Sequence, residues 1–317
     1  MRKPDPHAFH QAVAEHRHRL HRVLSNQTAG QLKKLYDSSQ AVVESRIRKA
    51  LRAGRGETFN THQQRMVLAQ MKHGQQAIAN HMAKALTAPM AKVQEGALKA
   101  LTRDVARLHK KFTGAEITVP IEEAARFQGI IDARKSSLLK MNQGSMQRYG
   151  ARLVAKVEEN LAVSLMTGET PDDAIDRVMD AIGGEWWQAE RVVRTELAYA
   201  DNATISDGIE DLNEEFPGMM QRWEELCDPY GRPLDDRVAV DSIAMHGQVA
   251  PAGGWFTMPD TAPFPDKKGK TEVPDALVGE SWEFPPNRPN DRSVLSPWLK
   301  RWGVPGWQLL AGHRVTL

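Results

Sequence analysis

Apolar residues recur along the first third of the chain in steps of three and four. Leu86, Met90, Val93, Ala97, Leu101, Val105, Leu108 and Phe112 fall on one stripe of a helix, and Leu32, Leu35, Val42, Val43, Ile47 and Leu51 form an earlier one. Between the stripes, AGRGETFN (residues 53–60) supplies two glycines and a change of direction. Residues 8–112 therefore read as a long helical hairpin. Pro89 predicts a kink in its second helix, because proline removes a backbone donor and crowds the preceding turn.

The middle of the chain is punctuated for further helices. In TGETPDDAIDRVMDAIGG (167–184), Gly168 ends one helix and Thr170 caps the next. Pro171 takes the first helical position, acids follow in the first turn, and Gly183-Gly184 stops the run. A longer helix is expected from Glu185 to Glu215. After Pro217-Gly218 the pattern shortens: MMQRWEEL, RVAVDSIAM and GGWFTMP predict a small antiparallel sheet packed on the helices. The proline-rich stretch 257–297 predicts extended loop. The fold class is then α+β and predominantly helical, with a long N-terminal helical hairpin, a central helical bundle and a small antiparallel sheet with a loop-rich C-terminal region. A natural division falls between a basic hairpin (1–115) and an α+β module (116–317).

Charge sharpens that division. The formal net charge of +2 hides 21 Lys+Arg against 7 Asp+Glu in residues 1–111, and 21 against 33 in the remainder. Nine of the eleven histidines also lie in the basic part. Arg46, Arg48, Lys49, Arg52 and Arg55 cluster on the first helix, either as a solvated face or as a grip on phosphates. The basic bias of the hairpin favours duplex DNA, bound through its backbone without sequence preference, since no aromatic platform or recognition motif accompanies the cluster. The single cysteine, Cys227, excludes an intrachain disulfide and reads as an incidental thiol in a turn. No apolar run approaches a bilayer span, and the first residues have no apolar signal core, so a soluble protein without a membrane partner is expected.

Candidate chemistry is sparse. His246 suits either a general base or ligand, or a turn histidine bonded to neighbouring backbone; no second ligand or nucleophile stands at a useful spacing, which favours the turn. Arg194 and Glu196 suit either a nucleotide-transfer pair or two charges facing different ways, each tying its helix to a loop or strand. Asp228, Asp235, Asp236 and Asp241 form no ordered catalytic spacing.

The order of these motifs nevertheless carries a resemblance. A helix with Arg194-Thr195-Glu196 and Asn202, a strand with Trp223, then Asp236-Arg237 leading to His246-Gly247-Gln248, and finally Pro285-Pro286 running to Asp291 in FPPNRPNDRSVL, together resemble the head-morphogenesis family of tailed phages, the F-like proteins of phage Mu. The resemblance spans roughly residues 120–297 and leaves out the basic hairpin. Family members often carry a CxxC and a CxC pair with the spacing of a closed structural zinc site. Those cysteines fall here on Ala239, Ser242, Asp291 and Ser293, and the motif's histidine falls on Arg288. The resemblance thus implies a scaffold without metal or other cofactor, in which Asp291 and Arg292 pair with Arg237 or Asp236 or cap loop amides, while Trp255, Phe256, Trp282 and Phe284 supply burial.

It also implies a function. The expectation is a non-catalytic minor head protein acting in head morphogenesis, capsid assembly and DNA packaging. It would be made in the host cytoplasm and retained in the virion interior, with the portal protein, the capsid or scaffold protein and packaged double-stranded DNA as partners. The alternative is an enzyme carried in the head, a nuclease or nucleotide-transfer enzyme, for which the scattered aspartates would have to gather around a metal.

Overall fold

Long helices dominate the chain, as their stripes predict. A computed structural model describes residues 6–52, 58–117, 119, 124–182, 186–228, 232–234, 237–288, 291–302, 306–310 and 313–316. In order these form α1 (Pro6–Arg52), α2 (Thr61–Thr113), α3 (Ala124–Thr167), α4 (Pro171–Ile182), α5 (Trp186–Glu215), β1 (Met220–Glu224), α6 (Val240–Met245), β2 (Val249–Pro251), β3 (Phe256–Thr257), β4 (Ser281–Trp282), β5 (Val294–Trp298), β6 (Trp307–Leu310) and β7 (His313–Thr316). The fold is α+β and mostly helical, with a small antiparallel sheet. Its compact units are not the two sequence halves: one gathers Asn26–Pro89 and Ser136–Arg194, the other Met1–Ser25, Met90–Lys135 and Thr195–Leu317.

In the first unit, α1 and α2 meet as antiparallel neighbours. The Gln75 amide donates to the Gln40 side chain at 3.5 Å, and a Cβ added to Gly74 would lie 2.5 Å from a Val43 methyl, so only glycine allows this approach. The α1 stripe is buried at Leu32, Tyr36, Gln40, Val43, Ile47 and Ala50. Two expected members differ: Leu35 is half-buried and Val42 is 52% exposed. Tyr36 and Gln40 take the buried positions instead; the Tyr36 hydroxyl meets that of Tyr149 at 2.8 Å, which satisfies it inside the core. The α4 start is a capping box in which the Asp173 amide donates to Thr170 Oγ1 and the Thr170 amide to Asp173 Oδ2, each at 3.3 Å. Helix α2 continues through Pro89.

The second unit holds the sheet. Strand order is β2-β1-β5, all antiparallel, with Arg222 opposite both Val249 and Ser296. The expected stripe from Met90 to Leu108 on α2 is buried, and Ala97, Leu101, Val105 and Leu108 join Ala203, Ile209 and Leu212 of α5 and Trp223, Phe256, Trp298 and Trp302 in one apolar core. Asn213 Oδ1 accepts the amides of Gly218 and Met219, both at 3.0 Å, fixing the turn from α5 into β1.

Three sequence expectations need correction here. RVAVDSIAM contains a helix, α6, with every residue buried, in place of a strand; six residues cannot show enough period to separate the two. Residues 294–298 form β5, although 294–297 lie in the proline-rich stretch; its Pro297 is tolerated because β5 is an edge strand. Trp255 is 64% exposed, whereas Phe256 and Phe284 are buried and Trp282 is partly so. The C-terminal hairpin β6–β7 was not anticipated.

Candidate functional site: a charged clasp and a basic helix face

Strand β1 is buried on both faces, and that is why its charges matter. On one side, Trp223 packs edge-on against Phe256 with centroids 5.3 Å apart, and Gln221 accepts from Ser206 of α5 at 2.9 Å while donating to the Gly254 and Glu283 carbonyls. On the other, Arg222 pairs with Glu224, whose carboxylate also accepts the Ser296 hydroxyl at 2.8 Å. A buried strand carrying Arg-Trp-Glu-Glu has to find partners for each charge, because an unpaired buried charge costs several kcal/mol.

The His-Gly-Gln motif supplies the next layer. Nδ1 of His246 accepts the Glu225 amide at 3.1 Å, so that nitrogen carries no proton. The histidine is bonded to backbone, though to the residue that follows β1 and not to its own turn. Gly247 has φ +80°, donates to the Trp223 carbonyl at 2.8 Å, and leaves 3.2 Å between a would-be Cβ and Arg222. A side chain there would be strained twice over. Gln248 brackets Thr257, accepting its amide and donating to its carbonyl at 2.9 Å each. The Trp307 indole donates to the His246 carbonyl at 2.9 Å, which ties the C-terminal hairpin to the same turn.

Asn202 of α5 does what a neighbouring strand would do. Its amide donates to the Ser293 carbonyl at 3.1 Å and accepts from the Leu295 amide at 2.8 Å, so two backbone groups on or beside β5 are satisfied by one buried side chain.

Residues 239–246 are joined to residues 287–288 and 291–293 by a clasp centred on Arg288. Its Nε donates to Asp241 Oδ2 at 2.6 Å and a terminal nitrogen to Ser242 Oγ at 3.1 Å. Burial opposes the arginine's charge, yet the bond to Asp241 and the fields of Asp241, Asp291 and Glu225 outweigh it and raise its pKa. Asp291 is buried and caps loop amides as expected, accepting from Asn287 and Ser293 at 3.0 Å each. The Ser293 hydroxyl stands 2.7 Å from Asp291 Oδ1 and 3.1 Å from Glu225 Oε2. Burial, then the Asp291 charge, push the Glu225 carboxyl up to about 7 against the pull of the Leu226 amide, Arg292 and Ser293. Ser242, Asp291 and Ser293, three of the four positions compared with cysteines above, therefore share one cluster with Arg288, held by an arginine and hydroxyls.

Other expected residues separate. Arg194 pairs with Glu190 one turn back on α5 at 2.6 Å, in place of the expected loop or strand partner; Glu196 is buried. Pro285 and Pro286 share a cis peptide bond, and Pro285 is buried. Arg237 is exposed. Asp235 and Asp236 lie outside the described residues. Asp228 closes a turn by accepting the Arg232 amide at 2.8 Å, while Asp241 serves Arg288. Among the described residues no group of three or more His, Cys, Asp or Glu is placed to hold a metal ion. Cys227 is buried.

On α1, Arg48, Lys49 and Arg52 line an open depression with Ala41, Glu44 and Ser45, on the side of the helix away from Val43 and Ile47. Arg46 is exposed but not among the lining residues; it lies about 60° round the helix from Lys49 and further from Arg48 and Arg52. Arg55 lies outside the described residues. Glu225 and the Arg222–Glu224 pair were not singled out by sequence reasoning. The signal was present in QRWEE, three charges within a stretch that also had to be a buried strand.

No family model, curated protein or solved structure matches the chain. No helix among the described residues is long and apolar enough to cross a membrane.

Proposed function

We propose that this chain is a non-catalytic minor head protein of a tailed phage, acting in head assembly beside the portal, with its basic helices against packaged DNA or the inner shell. One observation carries the reading. Asn202, His246, Gly247 and Ser293, far apart in sequence, converge on β1, β5 and the residues beside them: Asn202 bonds Ser293 and Leu295, His246 accepts the Glu225 amide, Gly247 donates to Trp223, and the Ser293 hydroxyl meets Glu225. A set of motifs first connected by their order alone thus has a common structural task, which is what a shared scaffold requires. The task is connective: the side chains end in one another or in backbone, as in an element built to hold its shape while other surfaces bind. The basic face of α1 supplies a surface suited to phosphates.

Localisation tests the reading. Co-expressed with the portal and major capsid proteins of a phage that encodes it, the chain should co-purify with assembled heads and appear beside the portal vertex by electron microscopy. Heads that assemble, package DNA and contain none of the chain would refute it.

A further inference from the structure

The clasp contains one hydroxyl between two carboxyl groups, and proton counting there leads further. Ser293 has a single O–H hydrogen but stands at hydrogen-bonding distance from both Asp291 Oδ1 (2.7 Å) and Glu225 Oε2 (3.1 Å). If both acids were charged, one of them would face the hydroxyl oxygen lone pair to lone pair in a site where all three residues are buried. The arrangement closes when Glu225 carries a proton on Oε2 and donates it to Ser293 Oγ, which donates in turn to Asp291. The assignment of roles follows from their other partners. Asp291 accepts two backbone amides besides the hydroxyl, the surroundings of an anion. Glu225 has one, from Leu226 at 2.7 Å, on its other oxygen.

We propose that Glu225, Ser293 and Asp291 form a proton-holding latch that closes residues 291–293 onto the end of β1 while Glu225 is protonated and loosens them when the proton leaves. The charges around Glu225 set the sign. Asp291 opposes a second negative charge, and Arg292 and Arg288 favour it; Arg288 is already held by Asp241, and Arg222 by Glu224 on the same strand. His246, on the Glu225 amide, presents an unprotonated nitrogen and no compensating charge there. Burial and Asp291 place the transition near neutrality, at about 7. A carboxyl raised in the folded state contributes stability that is full below its unfolded value and is lost as pH rises through the folded one. The latch's contribution to stability therefore falls between about pH 4.5 and 7 and is constant above, while in the folded protein the latch itself opens as pH passes about 7. This inference does not depend on a role in phage heads.

Urea unfolding of the full chain, followed across about pH 5 to 8.5, tests it against Glu225→Gln, whose amide donates to Ser293 at every pH. The unfolding constant of the unsubstituted protein should rise over this range by about two orders of magnitude relative to that of Glu225→Gln. Parallel curves would overturn the proposal. Should Glu225→Gln fail to fold, infrared spectra of the unsubstituted protein decide: a protonated-carboxyl band persisting at about pH 6 and gone by about pH 8.5 supports the latch, and no such band at about pH 6 overturns it.

Discussion

Replacing Asn202 by alanine removes two hydrogen bonds at once and offers nothing in return. The amide bridges the Ser293 carbonyl (3.1 Å) and the Leu295 amide (2.8 Å). Both backbone groups lie on or beside an edge strand whose other side already pairs with β1, and Ser293, Leu295 and Asn202 are all buried. A buried group that loses its partner costs about 1–3 kcal/mol, so two cost about 2–6 kcal/mol, a large part of the roughly 5–15 kcal/mol that holds a typical domain. Tryptophan fluorescence during urea unfolding is a suitable assay, because Trp223, Trp255, Trp282, Trp298, Trp302 and Trp307 belong to this unit and only Trp186 and Trp187 to the other. Asn202→Asp refines the test. It keeps an acceptor for Leu295 but sets a carboxylate against the Ser293 carbonyl, so it should match or exceed the alanine loss at neutral pH and recover in acid, where a protonated carboxyl donates. A loss below about 0.5 kcal/mol for Asn202→Ala, the scatter of surface substitutions, would refute the surrogate-strand role.

Two further outcomes follow from the geometry. Arg288→Met strands the Asp241 carboxylate, whose side chain is 5% exposed, and should cost about 2–4 kcal/mol, less than a fully buried pair because the arginine side chain is 33% exposed; adding Asp241→Asn should restore more than half, and a coupling near zero in the double-mutant cycle would contradict the clasp. The full chain should bind duplex DNA at about 50 mM salt with log affinity falling about 0.9 per phosphate contacted for each unit of log salt; glutamine at Arg48, Lys49 and Arg52 together should lower that slope by about 2–3 and Arg46→Gln alone should change it little, while no binding in low salt by fluorescence anisotropy would remove the DNA contact from the proposed function.

What the sequence alone determined is the local part of this protein. The α2 stripe from Met90 to Leu108, the capping box at Thr170 and the turn at Pro217-Gly218 depend on periods of three to four residues and on single side chains bonding nearby backbone, and all three stand where the pattern put them. Where a segment was too short for a period to register, the pattern failed, as at α6 and β5. Tertiary structure alone decided the clasp. Asp291 capping its own loop was readable from position, but Arg288 holding Asp241 across 47 residues, Glu225 meeting Ser293 across 68, and Asn202 standing in for a strand 91 and 93 residues away carry no local signature. The same holds for the units: contact divides the chain at Pro89 and Arg194, inside helices, because a helix is continuous in hydrogen bonding but each turn packs against whatever the fold brings to it.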